Sequence, residues 1–144
     1  MKRSLSMILI FALLLTVAVP AQAAETINVT LSADKETVAP GETVTLTLSI
    51  DKALSNMFCF EYWIYYNAEL LELTGTTAGE ATSFTDFGDP KSDENGTYFN
   101  VFALNKEGDP WTLNAGTIAT ITFTAKADAS GDAAFNLVQE VGLA

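Results

Sequence analysis

The sequence predicts an all-β protein, an antiparallel β-sandwich with Greek-key or jelly-roll topology. Two observations lead to this fold class. Apolar and polar residues alternate with a period of two along much of residues 24–144, and β-branched and aromatic residues are abundant there. No long stretch of these residues carries the apolar stripe of an amphipathic helix. A segment of this length is expected to form one two-layer domain.

The first 23 residues form a separate segment. Lys2 and Arg3 give it a basic start, residues 5–19 carry no charge, and residues 21–23 (Ala-Gln-Ala) match a small-x-small cleavage signal. These parts are typical of a secretory signal peptide, and the uncharged run is shorter than the roughly 20 residues that cross a bilayer. The sequence therefore predicts a leader at 1–23 that is cleaved near residue 23. The mature domain at 24–144 then has no membrane span and is secreted or held at the bacterial cell surface.

Residues 43–50 show the clearest strand pattern, with Val, Leu or Ile at every second position and Thr or Ser between them. Pro40 and Gly41 provide a turn just before this strand. Farther along, Ile118 is out of phase with Ile121, which predicts a β-bulge near residues 119–120. The predicted strands are 27–31, 43–50, 57–66, 70–74, 98–104, 121–125 and 133–138, and residues 75–96 are predicted to be a long surface loop with one short strand around 84–87.

The residue counts exclude several kinds of function. The chain has no His and a single Cys, Cys59, so it cannot form a Cys/His zinc site, a Ser–His or Cys–His nucleophile pair, or an internal disulfide. With 18 acidic and 7 basic residues, its net charge of -11 argues against binding nucleic acid. Paired carboxylates can hydrolyse glycosides without His. Here, however, the acidic residues are spread over turns and edges, which favours a solvated acidic surface over a hydrolase.

The predicted strand at residues 57–66 is apolar on both faces. Its odd positions are Met57, Cys59, Glu61, Trp63 and Tyr65. Because an unpaired carboxylate is costly in a core, Glu61 predicts that this odd face points outward. An aromatic side chain buries about 150–250 Å² when it is covered. Trp63 and Tyr65 would therefore together expose an aromatic patch of a size that is often functional. The alternative is a central strand covered on both faces by the same chain, for instance by residues 75–96.

Three segments resemble motifs of the cohesin domains of bacterial cellulosomes. Residues 54–72 contain a strand that leads into Tyr-Asn-Ala and a Leu-Glu pair, similar to the family's Tyr-Asp-Pro turn. Residues 116–123 resemble its Gly-x-Leu/Ile-x-x-Ile-x-Phe strand, and residues 38–44 resemble its Gly-Asp/Glu-x-Val entry to the second strand. There are two departures: Asn67-Ala68 replaces Asp-Pro, and the family's final strand is missing, so we expect a C-terminally truncated domain.

The resemblance implies a nine-stranded jelly roll with a non-catalytic function. It would bind the dockerin of a polysaccharide-degrading enzyme or scaffold protein in an extracellular cellulosome-type assembly. No cofactor is implied on this chain, because calcium is expected on the dockerin. The predicted partner-binding residues are Cys59, Glu61, Trp63, Tyr65, Leu104 and Asn105. Of these, we expect Glu61 to accept hydrogen bonds from the partner, and Trp63 and Tyr65 to supply anchoring area.

Two other functions stay open at this stage. The chain could be a carbohydrate-binding module that stacks a polysaccharide on Trp63, Tyr65 and Trp111, although Trp111 could equally be a local packing residue. The acidic segment 86–96 could bind calcium weakly, but its spacing does not match the EF-hand pattern. We interpret it as a flexible loop in which Asn95-Gly96 turns the chain.

Overall fold

The computed structural model describes residues 8–11, 15–20 and 26–141, and every regular element within those ranges is a β-strand. The strands, in chain order, are β1 (Ile8–Phe11), β2 (Leu15–Pro20), β3 (Thr26–Ala33), β4 (Thr37–Val38), β5 (Thr43–Ile50), β6 (Leu54–Met57), β7 (Cys59–Tyr66), β8 (Leu71–Ala78), β9 (Thr85–Phe87), β10 (Lys91–Asp93), β11 (Gly96–Leu104), β12 (Trp111–Leu113), β13 (Gly116–Ala125), β14 (Gly131–Ala134) and β15 (Asn136–Val141). The predicted all-β fold class is confirmed. Among the described residues there is no helix with the length and hydropathy that a bilayer crossing requires.

Two five-stranded antiparallel sheets form the sandwich. The first, called the β7 sheet, has the order β10-β11-β7-β15, and β9 also pairs with β11. The second, called the β5 sheet, has the order β2-β3-β5-β13-β8. A three-stranded sheet of order β14-β1-β4, with one parallel pair, and the two-stranded pair β12-β6 complete the described strands.

The core lies between the two large sheets because each contributes alternate apolar residues to it. Phe123 of β13 is at its centre: its ring centroid lies 4.8 Å from that of Tyr66, 6.0 Å from Phe99 and 5.2 Å from Phe135. β5 alternates buried Val, Leu and Ile with half-exposed Thr and Ser, as its sequence predicts. This burial drives folding, because each covered aliphatic or aromatic side chain is worth about 1.5–3 kcal/mol.

Most predicted strands are found, with shifted ends. Residues 43–50 match β5, while residues 27–31, 98–104 and 121–125 lie inside β3, β11 and β13. The register of β13 against β5 shifts between Thr117 and Ala119, next to the predicted bulge. The predicted strand at 133–138 is divided between β14 and β15.

The continuous strand predicted at residues 57–66 is wrong at its start. Asn56 has a positive φ of 59°, and the chain leaves regular strand geometry at Phe58 between β6 and β7. The alternation therefore changes phase: Met57, predicted to point outward, is 1% exposed, and Phe58, predicted to point inward, is 51% exposed. Met57 pairs instead with Trp111 in the small β6–β12 sheet.

The long surface loop predicted at residues 75–96 is also wrong in part. β8 continues through Gly75 to Ala78, and its last residues pair with Thr120 and Ala119 of β13. Two short strands follow, β9 and β10, and both pair with β11. The turn between β10 and β11 consists of Glu94 and Asn95, one residue before the predicted Asn95-Gly96, and Gly96, at a positive φ of 128°, begins β11 opposite Asp93. Pairing with distant strands thus orders residues that have weak strand propensity of their own.

The predicted leader overlaps β1 and β2. The cleavage signal at residues 21–23 and the last three residues, 142–144, lie outside the described residues.

Candidate partner-binding face

The register of β7 and β11 places eight side chains on one outward face. The directly opposed pairs are Tyr65 with Tyr98, Trp63 with Asn100, Glu61 with Phe102 and Cys59 with Leu104. All β7 members of this set are half-buried, whereas the intervening even residues are buried. The predicted outward direction of the odd residues is therefore correct from Cys59 to Tyr65.

Three rings on this face form an aromatic cluster, which consists of Trp63, Tyr65 and Tyr98. Trp63 and Tyr98 stack with centroids 4.4 Å apart and planes inclined by 14°. Tyr65 lies 5.1 Å from Tyr98, and its hydroxyl donates a hydrogen bond of 2.8 Å to Oδ2 of Asp93. Partial burial, together with this hydrogen bond, raises the pKa of Tyr65 to about 12. The rings are thus held in place before any partner arrives, which lowers the entropic cost of binding.

Glu61 is anchored within its own chain. Its Oε1 atom accepts hydrogen bonds from Nε1 of Trp63 at 2.9 Å and from Nδ2 of Asn100 at 2.8 Å. Oε2 accepts no hydrogen bond from the described residues. The carboxylate is therefore oriented by one oxygen and can use the other to bind a donor.

Gly88 supports the Asn100 amide from behind. The backbone N–H of Gly88 donates to the backbone carbonyl oxygen of Asn100 at 3.0 Å. A Cβ atom at position 88 would overlap Oδ1 of Asn100, which is buried and has no hydrogen-bond partner among the described residues. The absence of a side chain at Gly88 thus leaves room for Oδ1, while Nδ2 faces the carboxylate of Glu61, which can only accept hydrogen bonds when ionised.

Beside this polar group lies an apolar pocket of about 370 Å³. It is lined by Cys59, Phe60, Glu61, Asn100, Phe102, Ala103 and Leu104. Leu104 at its edge is 49% exposed, and with Phe58 it is one of two large hydrophobic side chains that are exposed in the described part of the chain. An open apolar pocket next to an oriented carboxylate suits an amphipathic partner surface.

Asn105, predicted to bind a partner, and Trp111, considered for stacking on a sugar, make contacts within their own chain. Asn105 follows β11 and stabilises the next loop, since its Nδ2 donates to the carbonyl of Asp109 at 3.1 Å and its Oδ1 accepts from the N–H of Glu107 at 3.0 Å. Trp111 lies in β12 and is 8% exposed. Its ring packs 6.1 Å from Phe60 and 5.3 Å from Phe84. Trp111 is therefore a packing residue.

Sequence reasoning missed Tyr98, Asn100 and Phe102 on this face. Tyr98, Asn100 and Phe102 would share one face of a strand, but residues 98–104 are apolar at nearly every position except Asn100, so their pattern does not mark an outward face. Which face it was depends on the register with β7, and no local pattern encodes that register.

The surroundings of the face carry charges of both signs. Asp86 lies opposite Phe102 and Lys91 lies opposite Tyr98, while Asp93 holds Tyr65. In the described ranges, no group of three or more Asp, Glu, Cys or His residues is arranged to hold a metal ion.

The outward face of the β5 sheet is very different. Its outward-facing positions on β5 and β13 are Thr43, Thr45, Thr47, Ser49, Thr120, Thr122 and Thr124. The sandwich therefore has one aromatic face and one face of small hydroxyl side chains, and aromatic residues are the ones enriched in protein interfaces.

Comparisons with known proteins agree with this fold. The model of the cohesin domain family matches residues 29–143. A type I cohesin–dockerin complex of Clostridium thermocellum, Coh-OlpA-Doc918, is similar in structure with a TM-score of 0.60 at 16% identity, covering 80% of this chain and 83% of that chain. The sixth cohesin of scaffoldin B from Acetivibrio cellulolyticus, solved with a Cel5 dockerin, gives a TM-score of 0.52 at 18% identity, covering 69% and 73%. No curated protein matches the sequence.

Proposed function

The chain belongs to the cohesin domain family, and on this basis we propose that it is a non-catalytic module that binds a dockerin through the outward face of the β7 sheet. We further propose that it does so outside the cell, after removal of residues 1–23, as part of an assembly that degrades polysaccharides. The calcium in such a complex would be held by the dockerin.

The observation that carries the proposal is the contrast between the two faces of the sandwich. The β7 sheet presents the aromatic cluster, the oriented carboxylate of Glu61 and the pocket beside Leu104, whereas the β5 sheet presents threonines. Buried aromatic residues surrounded by polar groups are the usual centres of binding energy. Cys59, Glu61, Trp63, Tyr65 and Leu104 are proposed to contact the partner directly, and Asn105 to shape the adjoining loop.

Calorimetric titration with a panel of purified dockerins tests this proposal. The variant Trp63→Ala/Tyr65→Ala should lose at least about 30-fold in affinity, equivalent to about 2 kcal/mol. The control Thr47→Ala/Thr120→Ala changes the opposite outward face and should leave affinity unchanged. Dockerin binding that survives the aromatic double substitution would show that the face is misplaced, and no binding to any dockerin would reject the function.

Carbohydrate binding is the competing function, and two observations weigh against it. Trp111 is buried, and the faces of Trp63 and Tyr98 are turned toward each other, which removes one stacking surface from each ring. A pull-down with insoluble cellulose separates the two functions. Retention of the chain on cellulose that is lost in Trp63→Ala would favour the carbohydrate-binding module.

A further inference from the structure

Asn95 and Gly96 lie in an exposed hairpin beside the aromatic cluster. They form the only Asn-Gly pair in the sequence, and every other Asn is followed by a residue that carries a side chain. Residues 91–96 are all exposed, and no described atom outside the chain neighbours of Gly96 lies within 4 Å of the place where its Cβ would be. The backbone nitrogen of Gly96 is therefore in an open part of the surface.

An Asn that precedes Gly can react with its own backbone, because glycine has no side chain to hinder the approach. The nitrogen of Gly96 would attack Cγ of Asn95 and form a new C–N bond, and Nδ2 would leave as ammonia with the proton of the Gly96 N–H. Water then opens the cyclic imide. Addition of water at Cγ gives aspartate, whereas addition at the backbone carbonyl gives isoaspartate, in which the main chain runs through Cβ and Cγ.

The amides of other Asn residues are held by the fold. Asn28 and Asn100 donate through Nδ2 to the carboxylates of Asp51 and Glu61, at 2.8 Å in each case. Both are followed by Val, whose branched side chain crowds its own backbone nitrogen. These residues should stay intact under conditions in which Asn95 reacts.

The turn at Asn95 is connected to Tyr65 through one carboxylate. Oδ1 of Asp93 accepts a hydrogen bond of 2.8 Å from the N–H of Asn95, and Oδ2 accepts one of 2.8 Å from the Tyr65 hydroxyl. Burial and Asp93 raise the pKa of Tyr65, and a hydrogen bond from the Asn95 side chain opposes them. The chemical state of Asn95 therefore bears on how Tyr65 is held.

Deamidation would disturb this connection in two ways. A carboxylate at position 95 would repel that of Asp93, and it could no longer donate a hydrogen bond to the Tyr65 hydroxyl. Isoaspartate would also add one backbone atom to the turn that now sets Asp93 opposite Gly96. Asp93 would then move away from its position beside Tyr65.

We propose that Asn95 is a site of spontaneous deamidation and isomerisation, and that the reaction releases Tyr65 from Asp93 and loosens one side of the aromatic cluster. The reaction needs only water, and it does not depend on the partner's identity. Its effect on binding rests on the proposed function of the face.

Peptide mapping by mass spectrometry tests the reaction in the full chain stored in mildly alkaline buffer. We expect the peptide with Asn95 to gain the mass of an Asn-to-Asp conversion, and an isoaspartyl methyltransferase to modify it. Asn67 and Asn105, which lie outside the strands, should stay unchanged. Asn95→Gln should also resist, because its imide would need a larger ring. An Asn95 that stays intact in the folded chain, whether or not it reacts in urea, would overturn the proposal.

Near-ultraviolet circular dichroism tests the effect on the aromatic cluster, because its signal depends on how aromatic rings pack. Converted protein, separated from fresh protein by anion exchange through its added charge, should lose part of this signal. Asn95→Asp has the charge without the longer backbone and should lose less. Asn95→Gln should not change during the same storage. An unchanged spectrum in fully converted protein would overturn the link between Asn95 and Tyr65.

Dockerin binding separates this inference from the proposed function. A dockerin that binds fresh protein should bind the converted protein about threefold more weakly, which is the equivalent of one hydrogen bond. Equal affinity of the two forms would overturn the predicted effect on binding. If no dockerin binds even the fresh protein, the proposed function is wrong, whereas conversion at Asn95 with loss of the near-ultraviolet signal still supports the modification site.

Discussion

Nε1 of Trp63 donates a hydrogen bond of 2.9 Å to Oε1 of Glu61, two residues earlier on the same face of β7. The indole ring of Trp63 and the carboxylate of Glu61 are therefore held together, and Asn100 donates the second hydrogen bond to Oε1. The expectation that Glu61 accepts hydrogen bonds from a partner stays a prediction, and the geometry attaches it to Oε2.

Glu61→Gln should weaken dockerin binding about tenfold without changing the fold, because a hydrogen bond to a charged group is worth about 1.5–3 kcal/mol. Calorimetry at low and high salt measures the effect, and the loss should shrink as salt increases. Glu72→Gln, an exposed change on β8, is the control. A Glu61→Gln protein with unchanged affinity would show that Oε2 does not contact the partner.

Tyr98→Leu should lower dockerin affinity about tenfold, since it removes the ring on which Trp63 stacks at 4.4 Å. Tyr65→Phe keeps its ring and loses only the bond to Asp93, so it should have a much smaller effect. Titration of both variants against wild type gives the comparison. Equal losses in the two would contradict this prediction, because the hydroxyl of Tyr65 would then contribute as much to affinity as the ring of Tyr98.

Gly88→Ala should displace the Asn100 side chain and cost about 1–3 kcal/mol in the free energy of unfolding, because the new Cβ overlaps Oδ1 of Asn100. In an Asn100→Ala background the same substitution should cost nearly nothing. Urea unfolding of the four proteins in this double-mutant cycle gives the coupling.

The control for this cycle is Gly75→Ala. An added Cβ there meets only Thr122 at an ordinary 3.5 Å. Additive effects of Gly88→Ala and Asn100→Ala would exclude the proposed packing.

Tyr62→Phe should leave stability unchanged or raise it by up to about 1–3 kcal/mol. The Tyr62 ring is fully buried, and its hydroxyl has no hydrogen-bond partner in the described part of the chain, so the substitution removes an unsatisfied polar group. Thermal or urea unfolding measures the change. Ile64→Ala, on the same inward face, should by contrast lose about 2–5 kcal/mol. A large loss in Tyr62→Phe would reveal a partner for the hydroxyl.

Stability should fall as the pH rises above about 10, where tyrosines of an unfolded chain ionise. Burial raises the pKa of Tyr62 and Tyr66, and the pKa of Tyr65 reaches about 12. Between these values the unfolded state binds fewer protons than the native state, so the free energy of unfolding decreases with pH. Urea midpoints at about pH 8 and about pH 11 measure the decrease, which should be smaller in Tyr62→Phe. Equal midpoints at the two pH values would contradict it.

Much of the fold followed from patterns within single strands. The alternation in residues 43–50 identified β5 with both of its ends, and one charged residue, Glu61, was enough to orient β7 from Cys59 to Tyr65. Such inferences succeed because the period of two is a property of the strand itself, and because an unpaired carboxylate is costly to bury in any strand.

What the sequence by itself determined, then, was the fold class, most strands and the outward direction of Trp63 and Tyr65. Tertiary structure alone decided that Tyr98 stacks on Trp63, that Asn100 binds Glu61 and that the chain changes phase at Phe58. It also decided that Trp111 is buried and that β8 extends to Ala78. The physical reason is that strand register depends on hydrogen bonds between residues far apart in the chain, and these become defined only when the two sheets close over a common core.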